Sequence, residues 1–395
     1  MRPARLLLLL LALPIAADTL APNDFHQRRS ALAKRLGGGF AVLECEKIDH
    51  SPDTDLIDER TPQFDFPYLA GVEVVGAVLV ILPDVDDSYL FLPEGADVGK
   101  AKAASGIANV LSLDHFPDFA RDVLGDSKRF YARRQPSIRK RLSLDSPGAK
   151  FLDLGEEVTT LRVTKTKKEL AIMREAAEIT CDGIVHGMKA CHPGGNESDV
   201  KAAIEGTFKA RGAESLAFSS ICGSGPNSTI LHYAKDTRAF GEDDLIVTDV
   251  GCELHGYAAD VTRTYPVDGT FSDEQREIYE IVREAQELAR KALKPGISLA
   301  EMDAVARAYI TEKGYGKYFR HYLGHYVGLN VHDCGPFDAP LEPGMVITIE
   351  PGIYLDDKGL GVRIEDTYIV TEDGSECISG GAPKVPAEIE KLMAR

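Results

Sequence analysis

The most constraining feature of this chain is an internal echo. Ala190, Pro193 and Gly194, followed by a helical stretch, then Lys209 and Gly212, recur as Ala292, Pro295 and Gly296, a second helical stretch, and Gly314. Ala190, Pro193, Gly194 and Gly212 all find their counterparts at one offset, 102 residues. Four matches at a single offset, with helix-forming sequence on both sides of each Pro-Gly, indicate a duplicated helix-turn-helix unit. The first long helix is expected over Lys168 to Ala190, with apolar positions Leu170, Met173, Ala177, Ile184 and Met188 on one face and Pro193-Gly194 as its stop signal. The C-terminal part of the chain should therefore be two related halves.

Each helix pair is followed by a hairpin that carries two acids. Leu245 to Cys252 reads as a strand, Glu253-Leu254-His255-Gly256 as the turn and Tyr257 to Tyr265 as the return. Asp249 and Asp260 are equidistant from that turn and are expected directly opposite each other, about 5 Å apart at Cβ. In the second half Met345 to Leu355, the turn Asp356-Asp357-Lys358-Gly359 and Leu360 to Val370 place Glu350 opposite Glu365 in the same way. Carrying Asp249 and Asp260 forward by 102 residues lands within one and three residues of Glu350 and Glu365, so a pseudo-twofold would bring the pairs together.

Four carboxylates in strands rich in valine and isoleucine cost several kcal/mol unless a cation compensates them. Any one alone reads best as a solvated residue on an open sheet face; four at matched positions point to hard metal ions, most economically two ions sharing carboxylates. Histidine ligands are on hand, since His321, His325 and His332 fall within twelve residues and His232 follows the Gly223-Ser224-Gly225 turn. His26, His50 and His255 read as ordinary core or surface residues. Other chemistries fit less well. Ser224 lacks a Gly-x-Ser-x-Gly frame, no His-Glu-x-x-His is present, and Cys334 lies too near His332 in sequence for a thiol-protease pair.

Upstream, residues 22–157 read as a smaller α/β domain with strands at Phe40 to Leu43, Val72 to Leu82 and Tyr89 to Leu92, and helical pieces between Gly99 and Leu124. Gly37, Gly38 and Gly39 are followed by no lysine-hydroxyl pair, so they form a turn and not a phosphate loop. Residues 1–21 have the pattern of a cleavable signal peptide: Arg2 and Arg5, an apolar run from Leu6 to Leu13 too short to span a bilayer, then Ala16 and Ala17. That pattern implies a secreted or periplasmic protein. Seven cysteines without a CxxC pair are not a disulfide framework and read as small buried side chains. With 62 acidic against 45 basic residues and a net charge of -17, the surface should repel nucleic acid and anionic membranes.

The segments ICGSGPNSTILHY (221–233), IVTDVGCELHGYAADVTRTYP (246–266), GHYVGLNVHDCG (324–335), GMVITIEPGIY (344–354) and GVRIEDTYIV (361–370) resemble the pita-bread metallopeptidases, specifically the Xaa-Pro aminopeptidases and the similar prolidases. The resemblance runs from about Thr160 to the C-terminus. It implies an α/β (α+β) chain whose residues 158–395 form a pita-bread catalytic domain of two pseudo-symmetric halves with an antiparallel sheet, after a creatinase-like domain over 22–157. The latter is more weakly matched, at His26-Gln27-Arg28-Arg29 and Phe66-Pro67-Tyr68-Leu69-Ala70-Gly71. The resemblance also implies a dinuclear site, with Asp249 chelating one ion, Asp260 and Glu365 bridging both, and His325 with Glu350 holding the other. By the same likeness His232 and His332 orient substrate and stabilise the tetrahedral intermediate, and His321, Tyr354 and Arg363 line the site.

The activity so implied is removal of an N-terminal residue that precedes proline, by a hydroxide bridging two divalent ions with Glu350 as general base. Manganese is the first choice of metal, with zinc, cobalt or iron as alternatives. A prolidase confined to Xaa-Pro dipeptides is the runner-up. A non-catalytic binding protein on the same fold is a third reading, against which the complete ligand set argues. The chain departs from the better-known aminopeptidases in its short N-terminal domain and its lack of tryptophan. Family members can lend an N-terminal residue to a neighbouring subunit's site, which makes Asp65 a candidate for that role and a homodimer or larger homo-oligomer the implied assembly.

Overall fold

The computed structural model describes residues 19–48, 61–124, 129–133 and 150–394. The leader up to residue 18 and His50 lie outside the described residues.

The N-terminal part is built on β1 (Phe40–Glu44), β2 (Val78–Leu82), β3 (Asp87–Leu92), β4 (Asn109–Ser112), β5 (Arg129–Ala132) and β6 (Lys150–Asp153), in the order β4-β3-β2-β1-β5-β6. The sheet is mixed: β1-β2 and β2-β3 are antiparallel, β1-β5, β5-β6 and β3-β4 parallel. Strand β2 reads Val-Leu-Val-Ile-Leu without alternation because both faces of the sheet are covered. Leu79 and Ile81 face helix α1 (Pro22–Leu36), through Leu32 and Leu36, while Val78 and Val80 pack with Phe116 and Leu124 on the other side. The strand expected from Val72 begins only at Val78, because Val72 to Ala77 are taken up by a turn: the Ala77 N–H donates to the Val74 carbonyl and that of Gly76 to the Cys45 carbonyl.

Four helices follow as two pairs: α2 (Lys167–Ala190) with α3 (Glu197–Ala210), and α4 (Asp273–Ala292) with α5 (Leu299–Glu312). The duplication read from the sequence holds to the residue, since α3 and α5 start and stop 102 positions apart and Gly194, Gly296, Gly212 and Gly314 all have positive φ. Each helix begins with a reciprocal capping box, Thr166 with Glu169, Asn196 with Asp199, Ser272 with Gln275 and Ser298 with Glu301. The first pair is followed by β7 (Ser215–Leu216), β8 (Ile221–Ser224), β9 (Leu245–Val250), β10 (Cys252–Leu254), β11 (Tyr257–Ala258) and β12 (Val261–Pro266). The second is followed by β13 (Val346–Ile349), β14 (Gly352–Leu355), β15 (Leu360–Arg363), β16 (Asp366–Val370) and β17 (Ser375–Cys377).

The two halves meet where β12 lies beside β15. Thr264 Oγ1 donates to the Arg363 carbonyl at 2.8 Å and accepts from the Arg363 N–H at 3.1 Å, and the Glu365 N–H donates to the Thr262 carbonyl. Behind this seam the guanidinium of Arg263, fully buried, bonds Asp366 and the carbonyls of Thr262 and Ala382. The N-terminal part docks through α1, where Arg28 Nη2 donates to Glu169 Oε1 at 2.8 Å and Tyr257 Oη to the same oxygen at 2.6 Å. Of the Arg28 and Arg29 pair singled out in the sequence, both buried, Arg28 joins the two parts while Arg29 donates to the Leu69 and Ser105 carbonyls within the N-terminal part. Among the described residues no helix is long and apolar enough to cross a membrane. All seven cysteines are free and all but Cys377 are buried.

Candidate active site

The second hairpin has the register its sequence implies. Gly352 pairs with Arg363 and Ile349 with Asp366, so Glu350 and Glu365 face each other across a two-residue interruption of the ladder. The first hairpin differs from expectation. Leu254 pairs with Tyr257, so the turn is the two residues His255-Gly256, both at positive φ, and Asp249 lies opposite Thr262 instead of Asp260. Asp260 is then the diagonal neighbour of Asp249, still on the same face because the two positions differ by an even step from the register. Asp260, Glu350 and Glu365 all sit where regular pairing breaks, the kind of interruption that re-aims a side chain.

His325 arrives from the segment that runs along the free edge of β13, where its N–H donates to Thr348 Oγ1 at 3.1 Å and its carbonyl accepts from the Thr348 N–H at 2.9 Å. The approach is close because residue 324 is glycine: a Cβ there would fall 2.2 Å from the Thr348 carbonyl oxygen. The His325 ring donates from Nδ1 to the Tyr326 carbonyl at 3.1 Å, which leaves Nε2 as a lone-pair donor. That atom lies 3.4 Å from both Asp260 Oδ2 and Glu350 Oε1.

The electrostatics of the cluster are unfavourable without a cation. Burial, then the charges of Asp249 and Glu350, push the proton affinity of Asp260 well above the carboxylate range. Burial and Asp260 do the same to Glu365, and burial and Glu365 to Glu350. Burial also lowers the His325 imidazole to about 4, so it is neutral and able to bind a metal. Asp249 Oδ1, Asp260 Oδ1 and Glu365 Oε1 are buried with no hydrogen-bond partner, and Asp260, His325 and Glu365 offer ligand atoms all within 4.8 Å of one another. Buried carboxylate oxygens that neither protein nor geometry satisfies, beside a neutral imidazole, are what an oxygen-preferring divalent ion requires.

A chain of hydrogen bonds flanks this cluster. Arg363 Nη2 donates to Asp249 Oδ2 at 2.7 Å and its Nη1 to Tyr354 Oη at 2.9 Å. Tyr354 donates in turn to His321 Nε2 at 2.8 Å, and His321 Nδ1 donates to the Tyr322 carbonyl. Burial and the Arg363 charge hold His321 neutral, down to about 3. The His332 ring stands edge-on to His325 with centroids 4.1 Å apart, while His232 is exposed and near enough for its charge to act on His321. All ten site residues named from the sequence therefore gather in one place.

The model of metallopeptidase family M24 matches residues 171–372, just over half of the chain. The chain belongs to metallopeptidase family M24. An Escherichia coli Xaa-Pro aminopeptidase is 31% identical over 95% of this chain and 98% of its own length, and a Pyrococcus horikoshii Xaa-Pro dipeptidase is 42% identical over 78% and 88%. Among solved structures, E. coli aminopeptidase P with the inhibitor Pro-Leu superposes with a TM-score of 0.85 at 29% identity, over 95% of this chain and 99% of that one. The duplicated helix pairs and hairpins are thus the pita-bread fold of this family, and an M24 enzyme works with divalent metal ions.

Three readings are settled by burial. Asp65 is fully buried and gripped by Arg133 and by Arg162 Nη1 at 2.7 Å, so it is not available to a neighbouring subunit's site. Ser224 Oγ is buried and donates to Glu197, and burial pushes the Cys334 thiol up to about 11, the reverse of an activated nucleophile.

The sequence reading missed the residues that hold the site in place, chief among them Arg162. Its Nη2 bonds Asp333, the residue after His332, so one buried guanidinium joins Asp65 of the N-terminal part to the loop that carries His332. Replacing it, Arg162→Met, leaves Asp65 and Asp333 buried without their shared cation. Urea denaturation should show a loss of about 3–5 kcal/mol; a loss under about 1 kcal/mol would mean that Arg133 and Lys165 neutralise the pair unaided.

Proposed function

We propose that this protein is an Xaa-Pro aminopeptidase that holds two divalent ions, manganese first among them, on Asp249, Asp260, His325, Glu350 and Glu365. The supporting observation is the set of three partnerless buried carboxylate oxygens beside His325 Nε2. Aminopeptidase action is favoured by the end-to-end match to the E. coli Xaa-Pro aminopeptidase, N-terminal part included. The higher identity to the Pyrococcus dipeptidase keeps a prolidase as the second reading. The leader pattern of residues 1–21 supports a location outside the cytoplasm, secreted or periplasmic.

When bound, the ions supply a Lewis acid for the scissile carbonyl and lower the pKa of water. The chain does the rest. Glu350 takes the proton from the attacking water and delivers it to the proline nitrogen, which must leave as a secondary amine and has no N–H of its own in the substrate. His332 and His232 donate hydrogen bonds to the carbonyl oxygen as charge grows on it and hold the proline residue. Arg363 fixes Asp249 and, through Tyr354, orients His321 so that the wall beside the ligands is neutral and rigid.

The test is product analysis of manganese-loaded protein given Arg-Pro-Pro and Ala-Pro separately, with a chelated control. Free arginine from the tripeptide, lost on chelation, is expected; cleavage of Ala-Pro alone would establish the dipeptidase, and cleavage of neither would overturn the activity. His332→Ala should lower kcat about a hundredfold with metal content unchanged. A variant that instead loses an ion would show that His332 is a ligand.

A further inference from the structure

Glu197, the first residue of α3, is fully buried, and its carboxylate accepts five hydrogen bonds, all from the last residue of β8 and the segment that joins it to β9. Oε1 takes the Ser224 N–H at 2.8 Å, Ser224 Oγ at 2.9 Å and Asn227 Nδ2 at 2.9 Å. Oε2 takes Tyr233 Oη at 2.8 Å and the Arg238 N–H at 2.8 Å, and the Glu197 N–H closes the ring by donating to the Arg238 carbonyl at 3.0 Å. The five donors bracket His232: Ser224 and Asn227 precede it, Tyr233 follows it directly, and Arg238 ends the loop.

The pseudo-symmetry shows that the fold does not demand a carboxylate here. The counterpart of Glu197, 102 residues on, is Leu299, which is equally buried and equally the first residue of its helix. A buried anion whose only partners are the donors of one loop is there for that loop. The loop reaches the site independently of Glu197, because Ser228 Oγ accepts from the Gly361 N–H at 2.7 Å and the Thr229 carbonyl from Arg320 Nη2 at 2.8 Å, next to His321. We infer that Glu197 is a positioning residue, clamping the 224–238 loop on both sides of His232 so that this imidazole meets the substrate in one orientation.

The inference rests on the proposed peptidase reading for what His232 does, and the experiment separates the two. Glu197→Gln turns one oxygen into a donor facing donors, so either the Ser224 and Asn227 side or the Tyr233 and Arg238 side of the clamp opens. The holoenzyme variant should keep its metal content, show faster amide exchange confined to residues 224–238, and lose kcat on Arg-Pro-Pro about ten- to a hundredfold. In a His232→Ala background the same change should cost no further activity, which general damage to the fold would not reproduce. Tyr233→Phe, which removes a single donor, should move exchange and kcat the same way by a smaller factor and serves if Glu197→Gln does not fold. Unchanged exchange, kcat within twofold of wild type, or losses that multiply in the double variant would overturn the inference. A wild type inactive on Arg-Pro-Pro, with exchange in the variant altered as stated, would sink the peptidase reading and leave the clamp standing.

Discussion

Asp260→Ala should abolish hydrolysis of an Xaa-Pro bond, by on the order of a thousandfold or more, equivalent to at least about 4 kcal/mol of transition-state stabilisation. Asp260 sits among the other acids of the cluster: Oδ2 faces His325 Nε2, Oδ1 has no protein partner, and Asp249, Glu350 and Glu365 all act on its proton affinity. An acid so placed can serve both ions, and its loss leaves the others with fewer shared cations to offset their repulsion. The backbone reason for its position survives the substitution, since the Asp260 carbonyl still accepts from Thr367 Oγ1. The variant should therefore fold. Measured kcat/KM within tenfold of wild type, at saturating manganese, would contradict the two-ion reading.

Removing the metal should make stability fall as pH rises. In the metal-free chain Asp260, Glu350 and Glu365 bind protons more tightly folded than unfolded, because burial and mutual repulsion raise their proton affinity. The folded state then holds more protons, and stability falls as pH rises from the ordinary carboxylate range through the raised values. His325 and His321, lowered to about 4 and about 3, act in the opposite sense only below about 6.5, where an unfolded histidine becomes protonated. Above that value these two histidines no longer oppose the carboxylates. The chelated protein should accordingly unfold at a lower temperature at pH 8 than at pH 7. Manganese at a thousand times its dissociation constant should add about 4 kcal/mol at pH 8 and remove most of the slope. A chelated protein as stable at pH 8 as at pH 7 would contradict the raised proton affinity of Asp260, Glu350 and Glu365.

What the sequence made legible is what periodicity and offset carry. The duplication and the Glu350–Glu365 register follow from residue types and spacings, whereas the place of Tyr354 and Arg363 beside the acids and the roles of the histidines came only from the family resemblance. The turn of the first hairpin is centred one residue later than expected, which moves the pairing by two, because His255 adopts a left-handed conformation and closes a two-residue turn with Gly256. That turn normally advertises itself with Asn-Gly or Asp-Gly, and histidine gives no such signal. Arg162 and Glu197 were invisible for a different reason. Their partners lie 27 to 171 positions away, as in the Glu197–Ser224 and Arg162–Asp333 bonds, and no local pattern encodes a buried ion pair or a carboxylate hub across such distances. Glu197 had one legible mark, its replacement by leucine in the other half of the repeat. A comparison of the two halves position by position, seeking charge where the partner is apolar, would have singled it out.

The central claim is that Asp249, Asp260, His325, Glu350 and Glu365 form one site for two ions that together make the enzyme active. Titration of chelated protein with manganese, following bound metal and arginine release from Arg-Pro-Pro in the same samples, tests it most directly. The account predicts that activity rises with filling of the site and saturates at two ions per chain, and that Asp260→Ala binds fewer than two ions and shows no activity. Full activity at one ion per chain, or binding of two ions without arginine release, would contradict it.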